Sequence, residues 1–255
     1  IIWNIAAEKE LRLKKNTINF LSNRQRLVNK TISGIKNTDY IIAQAKYQND
    51  LLKKYYNRLC TSIVPNFQPI PEYNKNKRLD KVNIIWIANI KEWKQPECFI
   101  RLAKFFEKSK NINFSMAGRI TNNQYGKKII SDIDKLENLE YLGELSIKDV
   151  HKYLAKSHIF VNTSLPYEGF PNTFIQAWMH GLPVISLNVN PDKILNTTGI
   201  FFKKSLKFIN FIFSVIKPFI FLLTLKVIVW PGLNLDISLS QSSMDSIFFE
   251  LTDII

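Results

Sequence analysis

Apolar runs and amphipathic segments alternate from residue 82 to residue 187, and this alternation restricts the fold more than any other feature of the sequence. Helices are predicted where apolar side chains recur at helical spacing, at 95–108, 127–136, 147–155 and 172–180. Strands are predicted around them, at 82–90, 112–117, 139–142, 159–161 and 183–187. Strands that alternate with helices build a parallel, doubly wound sheet. The predicted fold class is therefore α/β with a Rossmann-like sheet.

The residues before this region carry a shorter pattern of the same kind. A strand is predicted at 40–43 and a helix at 46–56, after a basic, amphipathic and helical stretch at 8–37. That stretch is either a solvated helix face or a contact with lipid headgroups. Pro65, Pro69 and Pro71, followed by a polar basic run, indicate a linker. The predicted division is 1–64, a linker at 65–80, a sheet domain at 81–200 and an atypical tail at 201–255.

Charge and composition exclude several classes of protein. A formal charge of +14 and a pI near 9.6 favour an anionic partner, such as a nucleotide, nucleic acid or an acidic membrane face. No nucleic-acid-binding motif is present, so nucleic acid is not an expected partner. Two cysteines are too few for a disulfide framework or a zinc site, which favours a reducing cytoplasm. No G-x-G-x-x-G follows the first strand of the sheet domain, so a nicotinamide or flavin site has no support.

The three histidines do not form a catalytic pattern. His151, His158 and His180 lack both a Ser-His-Asp arrangement and metal-ligand spacing. Each is expected to be structural, and His180 is placed to interact with a helix C-terminus if it is protonated.

The stretch 159–187, IFVNTSLPYEGFPNTFIQAWMHGLPVISL, holds the candidate functional residues. Glu168 follows a buried strand, where parallel α/β sheets place their ligands. Gly169 permits a tight turn, and Asn172 and Thr173 are residue types that cap the following helix. A helix N-terminus and free backbone N–H groups bind phosphate, and a carboxylate beside them suggests a sugar phosphate or nucleotide sugar. The alternative is a surface glutamate in an ordinary turn.

The segment EGFPNTFIQAWMHGLPVIS resembles the donor-binding segment of retaining glycosyltransferases of family 4, also called glycosyl transferases group 1. These enzymes have two facing Rossmann-like domains, the GT-B architecture, and their usual form is E-G-F-x-x-x-x-x-E-A-M-A-x-G-x-P-V-I. Glu168 matches the first Glu of this form, and Gln176 stands at the second. The resemblance covers about residues 38–200. It implies that 1–64 closes an acceptor-side domain and that 81–200 binds a nucleotide-sugar donor.

The resemblance also implies roles for individual residues. Glu168 would be the catalytic residue, which contacts the donor sugar and supports the charge that develops on it. Gln176 would bond the nucleotide ribose as an amide in place of a carboxylate. Family members often carry G-R-L-x-x-x-K-G after the first strand of this domain, and Lys94 matches the Lys that holds the donor diphosphate. Asn89 replaces the Arg, so that task is lost or passes to Lys91 or Arg119. The remaining donor-binding residues would be Gly169, Phe170, Asn172 and Thr173.

The function implied is transfer of a sugar from a nucleotide-diphosphate sugar to a sugar or lipid-linked acceptor, in the synthesis of a cell-surface polysaccharide or glycolipid. No metal or cofactor is expected, because helix ends and basic side chains would neutralise the diphosphate. The resemblance implies a cytoplasmic protein, with peripheral association at the inner membrane face as a further expectation. Because the chain begins with Ile1, it is expected to be part of a longer protein. The alternative function is an inactive remnant that at most binds nucleotide sugar.

The tail at 201–255 departs from the family pattern. One interpretation is a transmembrane helix at 206–230, although Lys207, Lys217, Lys226 and Pro218 interrupt that span. The preferred interpretation is a frame-shifted end, which re-sequencing of the gene would test.

Overall fold

The computed structural model describes residues 1–5, 8–13, 23–71 and 81–201. These residues form two parallel sheets, each with its own helices; the first sheet packs on one buried apolar cluster and the second on two. The predicted α/β class with a Rossmann-like sheet is confirmed. The predicted tail after Phe201 and much of the predicted linker lie outside the described residues, and the predicted division into domains stays a prediction.

The first sheet is small and has three strands in the order β1-β2-β3. Its strands are β1 (Ile2–Asn4), β2 (Tyr40–Ala43) and β3 (Ser62–Ile63), all parallel. Its helices are α1 (Glu8–Leu11), α2 (Asn23–Asn37) and α3 (Lys46–Tyr56). The predicted strand at 40–43 and helix at 46–56 are confirmed. The helix predicted over 8–37 is described only in two pieces, α1 and α2.

The second sheet has six strands in the order β6-β5-β4-β7-β8-β9. Its strands are β4 (Val82–Ile87), β5 (Ile112–Ala117), β6 (Leu139–Tyr141), β7 (Ile159–Asn162), β8 (Val184–Ser186) and β9 (Gly199–Phe201). Its helices are α4 (Pro96–Phe105), α5 (Gln124–Ile133), α6 (Ile147–Lys156), α7 (Asn172–Met179) and α8 (Leu195–Thr198). Every neighbouring pair of strands is parallel.

The order of the strands is that of a doubly wound fold. The chain moves outward from β4 to β5 and β6, then returns to the other side of β4 and moves outward again through β7, β8 and β9. Helices therefore cover both faces, and β4 is buried along most of its length. One face packs Trp86, Phe99 and Phe114, with the last two rings edge to face at 5.6 Å. Burying one such ring stabilises the fold by about 1.5–3 kcal/mol.

Helix ends differ from the sequence predictions by a few residues, and side-chain caps explain one case. α5 begins at Gln124, three residues before the predicted start, because the Asn123 side chain accepts a hydrogen bond from Gly126 N at 2.8 Å. α6 begins where predicted, after Ser146, which accepts from Asp149 N. A capping position thus depends on the hydrogen bond of one side chain. The spacing of apolar residues does not predict that bond.

Candidate active site

The crevice between β4 and β7 holds the candidate site. β4 pairs with β5 on one side and with β7 on the other, so the sheet reverses its winding direction at this point. The helices that follow these strands, α4 and α7, belong to different apolar clusters on opposite faces of the sheet, which leaves a crevice at its carboxyl edge. Open α/β sheets bind ligands at such a point.

Lys94 and Glu168 form an ion pair in this crevice, between Nζ and Oε1. Their side chains are only 11% and 14% exposed. Asn162 Nδ2 donates a hydrogen bond to Glu168 Oε2 at 3.4 Å, and Lys94 Nζ lies 4.2 Å from the centroid of the Trp93 ring. Two charges removed from water to this extent attract each other more strongly than an exposed surface pair. The structure therefore brings together two of the residues predicted from the sequence.

Hydrogen bonds from side chains and from the backbone fix the loop that carries Lys94. Thr163 Oγ1 donates to Lys94 O at 2.7 Å and itself accepts from Trp86 Nε1 at 2.9 Å. Leu165 N donates to Trp93 O at 2.8 Å. These three bonds join β4 and the loop after it to the loop after β7, so polar contacts between the two segments set the position of Lys94 relative to Glu168.

Gln95 follows Lys94 with a left-handed backbone, at φ 47°. The resembling family pattern has Gly at this place, which adopts such a conformation without steric cost. A side chain there costs about 1–2 kcal/mol. The Gln95 side chain accepts a hydrogen bond from Asn188 Nδ2 at 3.4 Å, which partly offsets that cost.

The turn after Glu168 differs in one detail from the prediction. The residue that precedes the first turn of α7 is Pro171, so the expectation that Asn172 or Thr173 caps this helix is wrong. Pro171 is extended at φ −67° and ψ 125°, and its carbonyl accepts from Phe174 N at 3.1 Å. Asn172 and Thr173 instead form the first turn, where backbone N–H groups have no acceptor within their own helix.

Three other predicted residues lie outside the Lys94–Glu168 pair. Gln176 is buried and donates from Nε2 to Gln68 Oε1 at 3.2 Å. The Phe170 ring packs against Trp178 at 6.3 Å, and its carbonyl accepts from Asn66 Nδ2 at 2.8 Å. Asn89 is exposed just after β4. Gln176 and Phe170 thus contact residues of the predicted linker.

Glu168 also lines a cleft of about 510 Å³ between the two sheets. One wall comes from the second sheet and the other from the start of α3. The lining residues are Pro166, Glu168 and residues 188–193 on one side, and Lys46, Tyr47 and Asp50 on the other. This volume is within the range of ligand pockets in proteins.

Two residues of this region were missed by sequence reasoning. Asn162 ends the buried strand β7, and a polar residue at the end of such a strand is a signal that could have been used. Asp192 accepts hydrogen bonds from Lys46 N and Tyr47 N across the cleft. Nothing local in the sequence indicates a contact over that separation.

Within the described ranges, no group of three or more His, Cys, Asp or Glu residues is placed to hold a metal ion.

The histidines make structural contacts. His158 is buried, and its Nδ1 accepts from Asn83 N of β4 at 3.0 Å. His151 Nδ1 and His180 Nε2 share a hydrogen bond of 2.8 Å between α6 and the end of α7. Burial lowers the pKa of His151. A hydrogen bond between two ring nitrogens needs one of them unprotonated, so this contact favours a neutral ring.

Acidification is expected to destabilise the protein through His151. Its folded pKa lies below the unfolded value of about 6.5, so the unfolded chain binds the proton first and stability falls as pH drops below about 6.5. The slope from this residue is at most about 1.4 kcal/mol per pH unit, the value for one proton. Urea unfolding at pH 7 and pH 5 measures it. His151→Gln keeps an amide that can donate to or accept from His180 and should reduce the pH dependence, and an equal dependence in that variant would contradict the assignment.

The doubly wound sheet defines an α/β protein of Rossmann-like type, and the charged pair lies at the switch point, where such sheets bind ligands. Residues 81–216, more than half of the chain, match the family model described as glycosyl transferases group 1. The chain belongs to that family.

Curated relatives agree with this assignment. The chain is 25% identical over 169 residues to one subunit of the human phosphatidylinositol N-acetylglucosaminyltransferase, covering 64% of this chain and 35% of that protein. It is 30% identical over 176 residues to an uncharacterized glycosyltransferase of Methanocaldococcus jannaschii, covering 63% of this chain and 43% of that protein. The chain thus spans less than half the length of these two relatives.

Solved structures show the same fold. WaaG, a glycosyltransferase involved in lipopolysaccharide biosynthesis, aligns with a TM-score of 0.66 at 11% identity, over 90% of this chain and 71% of that one. Anabaena HepE in complex with UDP-glucose aligns with a TM-score of 0.64 at 15% identity, over 86% and 63%. At these identities the likeness establishes the GT-B type of fold.

In the described part of the chain, no helix has the length and apolar character needed to cross a membrane.

Proposed function

We propose that this chain is the donor-binding part of a retaining glycosyltransferase, which transfers a sugar from a nucleotide-diphosphate sugar to an acceptor hydroxyl. The observation that carries the proposal is the Lys94–Glu168 pair at the switch point of a group 1 glycosyltransferase sheet. A carboxylate and an ammonium side by side match a substrate with hydroxyl groups next to a diphosphate.

Lys94 would stabilise the charge that develops on the leaving diphosphate. An ammonium has three N–H donors, so Lys94 can keep Glu168 as a partner and still donate to a phosphate oxygen. The Trp93 ring contacts the ammonium, and the hydrogen bond from Thr163 Oγ1 to Lys94 O fixes the backbone that carries it. The ammonium is therefore in place before the ligand binds. Groups held in advance stabilise developing charge without the cost of reorganisation.

Glu168 would bind the donor sugar and support positive charge at its anomeric carbon. The N–H groups at the start of α7, on Asn172 and Thr173, would donate to a phosphate or a sugar oxygen, as would that of Gly169. Gln176 would bond the ribose, and Phe170 would complete the turn. No metal is required in this scheme, since the helix N-terminus and Lys94 supply the positive charge.

The acceptor and the cellular role belong to the same proposal. WaaG is involved in lipopolysaccharide biosynthesis, and the name of the human relative includes phosphatidylinositol. These names support a sugar or lipid-linked acceptor in cell-surface glycan or glycolipid synthesis, with the enzyme in the cytoplasm near a membrane face.

The second candidate is an inactive remnant that at most binds nucleotide sugar. Gln176 in place of the second family Glu favours it, because its amide is already bonded to Gln68. Asn89 in place of the family Arg favours it too, since a neutral amide supplies no charge to a diphosphate.

Titration calorimetry with UDP- and GDP-sugars, together with a turnover assay, tests both candidates. The enzyme predicts saturable binding to one nucleotide sugar and release of its nucleoside diphosphate when acceptor is present. Binding without turnover would identify the remnant. Failure to bind any nucleotide sugar, in a protein whose circular dichroism shows it folded, would refute the donor site.

A further inference from the structure

The start of α3 is capped from the opposite side of the cleft. The residue before its first turn is Ala45, whose side chain accepts no hydrogen bond. The Gln48 side chain accepts instead from Gln44 N at 2.7 Å and from Ala45 N at 3.3 Å. The next two N–H groups, of Lys46 and Tyr47, have no acceptor within their own helix.

Asp192 supplies the missing acceptors. Its Oδ2 accepts from Lys46 N at 2.7 Å, and its Oδ1 accepts from Tyr47 N at 2.8 Å. A carboxylate at this end of a helix is also favoured by the helix dipole. α3 has no acidic residue in its own first turn, and Asp192 supplies a negative charge there from across the cleft.

The backbone of Asp192 is held in a costly conformation. Asp192 and Lys193 have φ values of 49° and 59°, two successive left-handed residues without a glycine. Bracing contacts on both sides maintain the turn: Pro191 is buried, and Asn190 Oδ1 accepts from Leu195 N at 2.9 Å. Strain of this kind persists only where surrounding contacts fix it, and it marks functional positions.

We propose that Asp192 is a clasp between the two sheets, which fixes the width of the cleft lined by Glu168 by capping α3 from the opposite wall. The clasp is a positioning device, and its existence does not depend on any catalytic activity. Loss of these two hydrogen bonds would let the walls of the cleft move apart.

Residue-resolved hydrogen exchange on the full chain tests the capping. Asp192→Gly removes the carboxylate and accepts the left-handed backbone, so it should fold. We expect exchange of the Lys46 and Tyr47 amides to become roughly three- to tenfold faster, as for loss of a helix cap. Asp192→Asn keeps an acceptor and should give a smaller change. Asp50→Asn removes the same charge from the same cleft without touching either hydrogen bond and should change nothing.

A distance measurement tests the clasp itself. Spin labels at Lys54→Cys and Lys156→Cys, on exposed helix positions of the two sheets, report their separation once Cys60→Ser and Cys98→Ala remove the native thiols. We expect a narrow distribution with Asp192 and a broader, longer one with Asp192→Gly. An identical distribution, or unchanged exchange at Lys46 and Tyr47, would overturn the proposal. Both readouts are independent of donor binding, so this failure is distinct from failure of the proposed function.

Discussion

Gly118→Ala is expected to destabilise the second sheet by about 3–5 kcal/mol, through backbone strain and a clash that no side chain can relieve. Gly118 follows β5 with φ 146°. A Cβ on it would lie 1.7 Å from Ala88 O and 2.5 Å from Ala88 C, both backbone atoms. Relief requires movement of the segment after β4, which leads to Lys94. The variant should therefore lose both stability and the geometry of the charged pair.

Gly143→Ala is the matched control for this prediction. Gly143 lies at the same edge of the sheet, and its carbonyl accepts from Gly118 N at 2.8 Å. Its φ is 71°, but a Cβ there would meet nothing within 4 Å, so only the left-handed cost of about 1–2 kcal/mol applies. Urea unfolding followed by tryptophan fluorescence compares the two variants. Equal losses would show that the approach of Gly118 to Ala88 is not the source of the effect.

Lys94→Met is expected to lower the free energy of unfolding by about 2 kcal/mol. Removing one partner of a fully buried ion pair costs ~3–5 kcal/mol, and the loss is smaller here because Glu168 can turn toward the cleft. The charge of Glu168 would remain, with Asn162 Nδ2 at 3.4 Å as a weak partner. Lys94→Met/Glu168→Gln removes both charges and should regain most of the loss. The coupling energy from the double-mutant cycle should be about 1–3 kcal/mol. Under the proposed function, the double variant should fold and yet bind no donor.

An exposed pair serves as the control for the cycle. Lys135 Nζ lies 2.7 Å from Asp132 Oδ1, with side chains 66% and 30% exposed. Lys135→Met with Asp132→Asn should give a coupling of about 0.5 kcal/mol or less, as for helix surface pairs. If the Lys94–Glu168 coupling were equally small, the carboxylate would not depend on Lys94 for compensation. Denaturant unfolding of the four chains in each cycle supplies these values.

The longer elements of the fold could be predicted from local pattern. β2, β5 and α3 have the predicted bounds, because their apolar side chains follow the period of a strand or a helix without interruption. The short elements β1, β3, α8 and β9, of two to four residues each, were not predicted, because so few residues show no detectable period. The other errors lie at ends: β4 stops at Ile87, three residues before the prediction, and Pro171 takes the capping position of α7. The ends of elements depend on single hydrogen bonds and on the geometry of proline, and the spacing of apolar side chains contains no information about either.

Candidate residues could be named from the sequence, but their contacts could not. Glu168 was predicted from its place after a buried strand, and Lys94 from the family pattern. Gln176 was predicted as a ribose contact, and the structure adds its hydrogen bond to Gln68, 108 residues away. Such a contact depends on which distant segment the fold places beside the residue, and the sequence around Gln176 does not show this.

The sequence by itself determined the alternating strands and helices, the fold class and the identity of the two charged residues. The tertiary structure alone decided that Lys94 and Glu168, 74 residues apart, meet in a buried pair. The reason is the strand order, since β4 and β7 become neighbours only when the chain reverses direction at β4. It also decided that Asp192 caps a helix 145 residues earlier, because only the approach of the two sheets brings that carboxylate to α3.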